Sequence, residues 1–153
     1  SYAIGVKEVW QTNDKQNYID GLCIHSMGYP LDNETYGGGF IYHYEKKIAL
    51  GLIIGLDFKN PYLDPHAYLQ ILKTHPLVSK MLTNSKCIAY GARALNEGGY
   101  QAIPQLTFPG GLIIGCAAGF LNIAQLKGTH NAMESGMIAA QCIHSHFHQE
   151  KNL

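Results

Sequence analysis

The order of apolar and polar positions changes its period along the chain. Residues 2–10 alternate loosely, as a strand with one inward face does, and point Val6, Val9 and Trp10 toward a core. Residues 11–20 are polar and read as a loop. Residues 21–28 carry Leu22, Ile24 and Met27 and predict a second strand, with His25 able to face either way. Residues 30–33, PLDN, are turn chemistry. A third strand over 35–44 is entered through Gly37, Gly38 and Gly39. Lys46 and Lys47 sit where a hairpin would turn, and 48–56 returns as the partner. The period then becomes helical. Asp64 before Pro65 is an acid at the N-cap followed by proline at the first helical position, so 66–74 continues as helix with Tyr68, Leu69 and Leu72 apolar. His75–Pro76 stops it, a short helix over 77–82 follows, and 86–94 reads as a strand.

The stretch 109–140 organises the rest. Leu112, Ile113 and Ile114 have the length and composition of a buried parallel strand. Gly115 opens a loop through Cys116, Gly119, Asn122 and Lys127. From Gly128–Thr129 onward Ala132, Met133, Gly136, Met137, Ala140 and Ile143 recur at helical spacing and give one apolar face. Strand, glycine loop and helix N-terminus together make a place where backbone N–H groups face an anionic or electron-rich ligand. The same residues also make an ordinary βα unit whose glycines permit close packing. The glycines at 37–39 carry the same two readings: backbone that a flat ring can approach without Cβ interference, or a glycine-tolerant edge strand. Arg93 stands in an apolar, glycine-rich neighbourhood. An ion pair with Glu97, a bond to a backbone carbonyl and a place beside a ligand all suit it. The pattern as a whole predicts an α+β fold, a mixed sheet with hairpin strands and short helices that closes on a βα unit.

Charge narrows the partners. Eleven basic and eleven acidic side chains leave no net charge among 153 residues, so no basic patch asks for nucleic acid. So few charges suit a protein that buries surface against other domains or rests near a membrane. No apolar run approaches the ~20 residues of a spanning helix. Residues 49–58 come nearest, and Asp57 ends them too early. Cys23, Cys87, Cys116 and Cys142 lie far apart, form no disulfide, zinc or iron–sulfur pattern, and read as small core residues, Cys116 nearest a ligand. His144 and His148 are spaced to share a helix face, as a metal pair or a solvated helix end. No paired carboxylates and no Ser/His/Asp arrangement stand out.

Four segments, taken in order, resemble the electron transfer flavoprotein–ubiquinone oxidoreductase family: TYGGGFIYH (35–43), ALGLIIGLDFKNPYLDP (49–65), IAYGARALNEGGYQAIPQLTFPGGLIIGCAAGFLN (88–122) and KGTHNAMESGMIAA (127–140). The last two resemble the second flavin-contacting motif of large two-dinucleotide-binding-domain flavoproteins. The resemblance implies a ubiquinone-binding domain over about 1–88 and the C-terminal part of an FAD-binding domain over 89–153. It implies FAD contacts at Gly115, Gly119, Asn122, Gly128 and Thr129, and quinone contacts at Tyr36, Gly37 and Gly38, with Gly39 in place of another small residue. Ala117–Ala118 departs from the family's small-residue–Pro pair.

In such a protein, electrons pass from reduced electron transfer flavoprotein through FAD and a 4Fe–4S cluster to ubiquinone. This occurs at the matrix side of the mitochondrial inner membrane, or at a bacterial cytoplasmic membrane. The chain lacks the G-x-G-x-x-G of the ADP site, a cluster-binding cysteine set and a leader peptide. An internal piece of a roughly four-fold longer protein is therefore expected, inactive and nearly colourless alone. A geranylgeranyl-reductase-type flavoprotein is the alternative, sharing the closing βα motif but not TYGGGFIYH.

Overall fold

Alternation and a tight turn fix the largest element. In a computed structural model, which describes residues 1–13 and 16–150 with the side chains of 148–150 excepted, β3 (Gly37–Tyr44) and β4 (Lys47–Gly55) form an antiparallel hairpin. Tyr44 pairs with Lys47, so the loop is Glu45–Lys46, both at positive φ (48° and 59°). That is the two-residue turn whose twist matches paired strands, one position earlier than the sequence suggests. β1 (Tyr2–Thr12) lies antiparallel to β4, and β2 (Cys23–Met27) antiparallel to β3. With β5 (Ser85–Asn96) beside β1, the sheet order is β2-β3-β4-β1-β5.

The register sorts side chains onto two faces. Ile24 and Ser26, Gly39, Ile41 and His43, Ile48 to Ile54 at every second position, and Val6, Glu8 and Trp10 share one face. Helices α1 (Pro65–Thr74) and α2 (Pro76–Met81) cover it through Leu69, Leu72 and Val78, with Leu31 and Leu63. Ile48, Leu50, Leu52, Ile54 and Leu69 are fully buried, each stabilising by about 1.5–3 kcal/mol relative to exposure. The Asp64 cap and the stop at His75 match the sequence, while the His75 cap of α2 is one that the sequence reading did not assign. The Asp64 carboxylate accepts from His66 N at 2.8 Å, and His75 ends α1 and caps α2. On the opposite face Phe40 lies over its cross-strand partner Gly51, where a Cβ would collide with the ring.

Some expectations need correction. Val9 is only half-buried and faces away from the helices; Glu8 is the buried neighbour. Cys23 and Cys142 are exposed, Cys87 and Cys116 half-buried, so none is a core residue. Arg93 is exposed and, among the described residues, pairs with no carboxylate, Glu97 included.

Two compact units divide the chain, Tyr2–Leu95 and Asn96–Leu153 with Ser1. In the second unit the run 112–114 is not a buried parallel strand. β6 (Thr107–Phe108) and β7 (Gly111–Leu112) make a short antiparallel hairpin around Pro109–Gly110, and Ile114 is 40% exposed. Proline and a glycine at φ 83° turn the chain back on itself, so the apolar run pairs locally. Helix α3 (Thr129–Glu150) starts at the expected residue. Its half-buried side is the small one, Ala132, Ser135, Gly136 and Ala139, while Met133 and Met137 are exposed. The predicted apolar face is therefore split. His148 lies outside the described side chains, so the His144–His148 pairing does too.

Candidate functional site

The first unit contains a cleft of about 180 Å³ between strands β2–β3 and helices α1–α2. Ile24, Ile41, Leu72, Val78 and Met81 make its walls, Gly39 its floor, and Met27 and Leu77 belong to its lining while being 85% and 65% exposed. The polar residues are Ser26, Tyr29 and His75. An apolar cleft with a few convergent polar groups is the usual form of a small-molecule site. This volume suits one substituted ring with the rest of the ligand outside.

The predicted quinone contacts behave differently from one another. Tyr36 is half-exposed and its carbonyl accepts from Gly55 N at 2.8 Å. A Cβ on Gly38 would collide with the Ser26 carbonyl oxygen, and one on Gly37 with Ile53 O and, at 2.7 Å, Leu31 Cδ1. On the side that a Cβ would take, the space beside these two glycines is filled by neighbouring strands. Close strand approach explains both. Gly39, read from the sequence with its two neighbours but not named among the quinone contacts, is the member of the run that lines the cleft; a Cβ there would stand 2.8 Å from Ser26 Oγ and 3.1 Å from Leu72 Cδ2. Sequence reasoning also missed His75 as a cleft residue, because its helix-stopping role accounted for it completely.

A polar cluster holds α1 against the sheet beside the cleft. Lys73 Nζ donates to both Glu8 oxygens at 3.0 and 2.8 Å, Gln70 Nε2 to one at 3.2 Å and Trp10 Nε1 to the other at 2.8 Å. The ammonium also lies 5.0 Å from the centre of the Trp10 ring. Burial pushes the Glu8 carboxyl up, but the three donors and the Lys73 charge outweigh it, leaving Glu8 below its usual range. The cluster leaves neither charge uncompensated.

In the second unit the loop and α3 hold each other. Gly115, at φ 62°, donates its N–H to Ser135 Oγ at 3.0 Å, and a Cβ there would stand 3.4 Å from Ala132 Cβ. Asn131 Nδ2 donates to Phe120 O at 2.8 Å. Gly119, at φ 81°, ends the turn Gly115–Ala118. Gly128 packs on Leu121. Asn122 caps the turn Ile123–Gln125: its Oδ1 accepts from Gln125 N at 3.1 Å and its Nδ2 donates to Gln125 Oε1 at 3.3 Å. The backbone of Asn122 bridges that of Lys127. Gly115, Gly119, Asn122, Gly128 and Thr129 are thus brought into one loop–helix junction, with the first-turn amides of α3 lacking carbonyl partners four residues back.

Solved structures share this fold. A geranylgeranyl bacteriochlorophyll reductase-like protein from Thermoplasma acidophilum superposes with TM-score 0.69 at 19% identity, covering 92% of this chain and 33% of that one. A flavin-dependent brominase superposes at 0.58 and 19%, covering 94% and 36%. By sequence the chain is 54% identical over 146 residues to the human mitochondrial electron transfer flavoprotein-ubiquinone oxidoreductase, covering 94% of this chain and 24% of that protein. It is 52% identical over 144 residues to the probable Saccharomyces cerevisiae counterpart, covering 94% and 23%. The chain spans about a quarter of the length of these curated relatives. Residues 2–95, which include the whole cleft and end where the first compact unit ends, match the family described as ETF-QO, ubiquinone-binding, and it is to this family that the chain belongs.

Proposed function

We propose that this chain is part of an oxidoreductase that passes electrons from reduced electron transfer flavoprotein, through FAD and a 4Fe–4S cluster, to ubiquinone. In this reading the first unit binds the quinone head in the α1–α2 cleft. The observation that carries it is the cleft itself: apolar, ring-sized and wholly inside the family-matched residues. Tyr36, Gly37 and Gly38 enter β3 just before Gly39 and contribute by shaping the strand that forms the floor. The exposed Met27 and Leu77 give the isoprenoid tail an apolar exit toward a lipid surface. That fits a peripheral position on the matrix side of the mitochondrial inner membrane, or on a bacterial cytoplasmic membrane. No helix among the described residues is long and apolar enough to cross one.

The second unit supplies part of the flavin site. The residues fit such a group. The α3 N-terminus and Gly128–Thr129 offer N–H donors and a positive dipole end to an electron-rich ring edge. Gly115 and Gly119 set the loop beside it, and Asn122 shapes the loop through Gln125. FAD, when bound, carries the redox change; these residues hold and orient it. The cluster's ligands are assigned to the remainder of the longer protein.

The test uses the full-length enzyme. Met81→Trp fills the cleft with a larger ring. Flavin reduction by reduced electron transfer flavoprotein should persist, while ubiquinone-1 turnover falls at least tenfold. Unchanged quinone turnover in a folded, flavin-reducible variant would remove the cleft from the reaction.

A further inference from the structure

The five-stranded sheet has two edges, and they are not alike. β2 is five residues long, and a short edge strand is itself a guard against pairing with another segment. β5, at the other end of the order β2-β3-β4-β1-β5, runs for twelve residues. One side of it is hydrogen-bonded to β1, and its outer side pairs with no strand among the described residues. Every residue of 88–94 is exposed. Successive side chains of a strand point to opposite faces, so both faces are open there. Ile88 and Tyr90 stand on one face, 49% and 86% exposed. On the other, a Cβ added to Gly91 would meet nothing within 4 Å. The sequence of β5 does little to blunt this edge. It holds no proline, and between Lys86 and Arg93 the residues 87–92 are all uncharged. Cys87 Sγ donates to Ala89 O at 3.5 Å, a weak bond that leaves most of the backbone edge bare. A long, uncharged edge of this kind is a template for a further strand.

We propose that the outer edge of β5 receives a strand from the part of the longer protein that lies outside this chain. The inference rests on the reading that this chain is part of a longer protein, and not on where the quinone binds. The occupant's chemistry follows from the edge. Its backbone pairs along β5, its apolar side chains cover Ile88 and Tyr90, and a carboxylate on it meets Arg93, which pairs with none among the described residues. Three observations favour the same molecule over a second copy. The chain spans about a quarter of the length of its curated relatives, so ample chain remains to supply a strand. A segment of the same molecule meets the edge at an effective concentration of about millimolar, without the cost of bringing two molecules together. Finally, β5 carries two cations, Lys86 and Arg93, and no carboxylate, so a copy of itself brings no counter-charge.

The experiment uses the full-length enzyme. Alternate amides of a strand point to its two edges. With a free outer edge, about half of the amides over 87–93 exchange with deuterium at the rate of an unfolded chain. With the added strand in place, all of them should exchange about a hundredfold more slowly or beyond. Tyr90→p-benzoyl-phenylalanine then identifies the cover by photocrosslinking and peptide mapping. The expected product is a crosslink within one molecule, to a segment outside these 153 residues. Fast exchange at alternate amides overturns the proposal, and that measurement needs no variant. A crosslink that joins two copies overturns it as well, by giving the edge to a second molecule. So does a crosslink that ends within this chain, or the absence of any crosslink from a folded variant. A native gene product confined to these 153 residues would instead remove the longer-protein reading, whereas fast exchange in the full-length enzyme removes only this inference.

Discussion

Glu8 and Lys73 show how much one buried pair decides. Their side chains are 8% and 17% exposed, so removing one partner leaves a charge with neither water nor a counter-ion. Lys73→Met in this chain should lower stability to urea by about 3–5 kcal/mol, and Glu8→Gln combined with it should recover much of that loss. An equal loss in single and double variants would mean that the pair is not coupled. Gly38 makes the complementary point about volume. Because a side chain there meets the Ser26 carbonyl of the adjacent strand, Gly38→Ala should cost about 1–3 kcal/mol of stability by overpacking. It should depress flavin reduction and quinone turnover together in the full-length enzyme. A quinone-specific loss would instead place Gly38 against the ligand. Neither pair was visible in the residue pattern: Glu8 reads as an outward position between Lys7 and Val9, and only the register puts it under α1.

At the scale of elements, α1 and α2 are short and depend on their ends. The Asp64 cap and Pro65 define where α1 starts, and His75 serves as the end of one helix and the cap of the next. Asp64→Ala should lower the stability of the first unit by about 1 kcal/mol, read as a Tm decrease of about 4–8 °C, while leaving β-sheet circular dichroism intact below the transition. No change would mean that packing of Leu69 and Leu72 alone sets the helix start. These boundaries were legible because capping is local chemistry. The β6–β7 hairpin was not legible as such. A three-residue apolar run is equally consistent with a buried strand and with a half-exposed hairpin, and the partner decides between them.

For the whole molecule the informative group is His43. It is 2% exposed and stacks on Tyr18 at 5.1 Å. Its Nδ1 accepts from Ile19 N at 3.2 Å, a bond open only to a ring with that nitrogen bare. Its Nε2 has no hydrogen-bond partner among the described residues. Burial holds its pKa below the ordinary 6.5. The folded state therefore binds fewer protons than the unfolded one, and the stability this contributes is complete above about pH 6.5 and is lost as pH falls toward the folded value. Tm should fall between pH 7.5 and 5.5, and His43→Leu should flatten that dependence. A His43→Leu chain with the same slope would assign it elsewhere. Glu8, held below 4.5, adds a loss only at lower pH.

The order of elements in the first unit, the β3–β4 hairpin, the cap at Asp64 and the start of α3 were determined by the sequence itself, because alternation, turn residues and caps act within a few positions. Four colinear segments also sufficed to point to the family, since so long an ordered match leaves little room for chance. Tertiary structure alone decided which glycine of the three lines the cleft. Gly37 and Gly38 are closed in by β4 and β2, and Gly39 opens onto the cleft. It alone made His75 a cleft residue, since the cleft exists only where α2 folds back over β2 and β3. It also chose the small-residue side of α3 for packing, because the loop at Gly115–Phe120 approaches too closely for methionine. Local physics writes the elements; which atoms meet across them depends on register and packing that no short stretch contains.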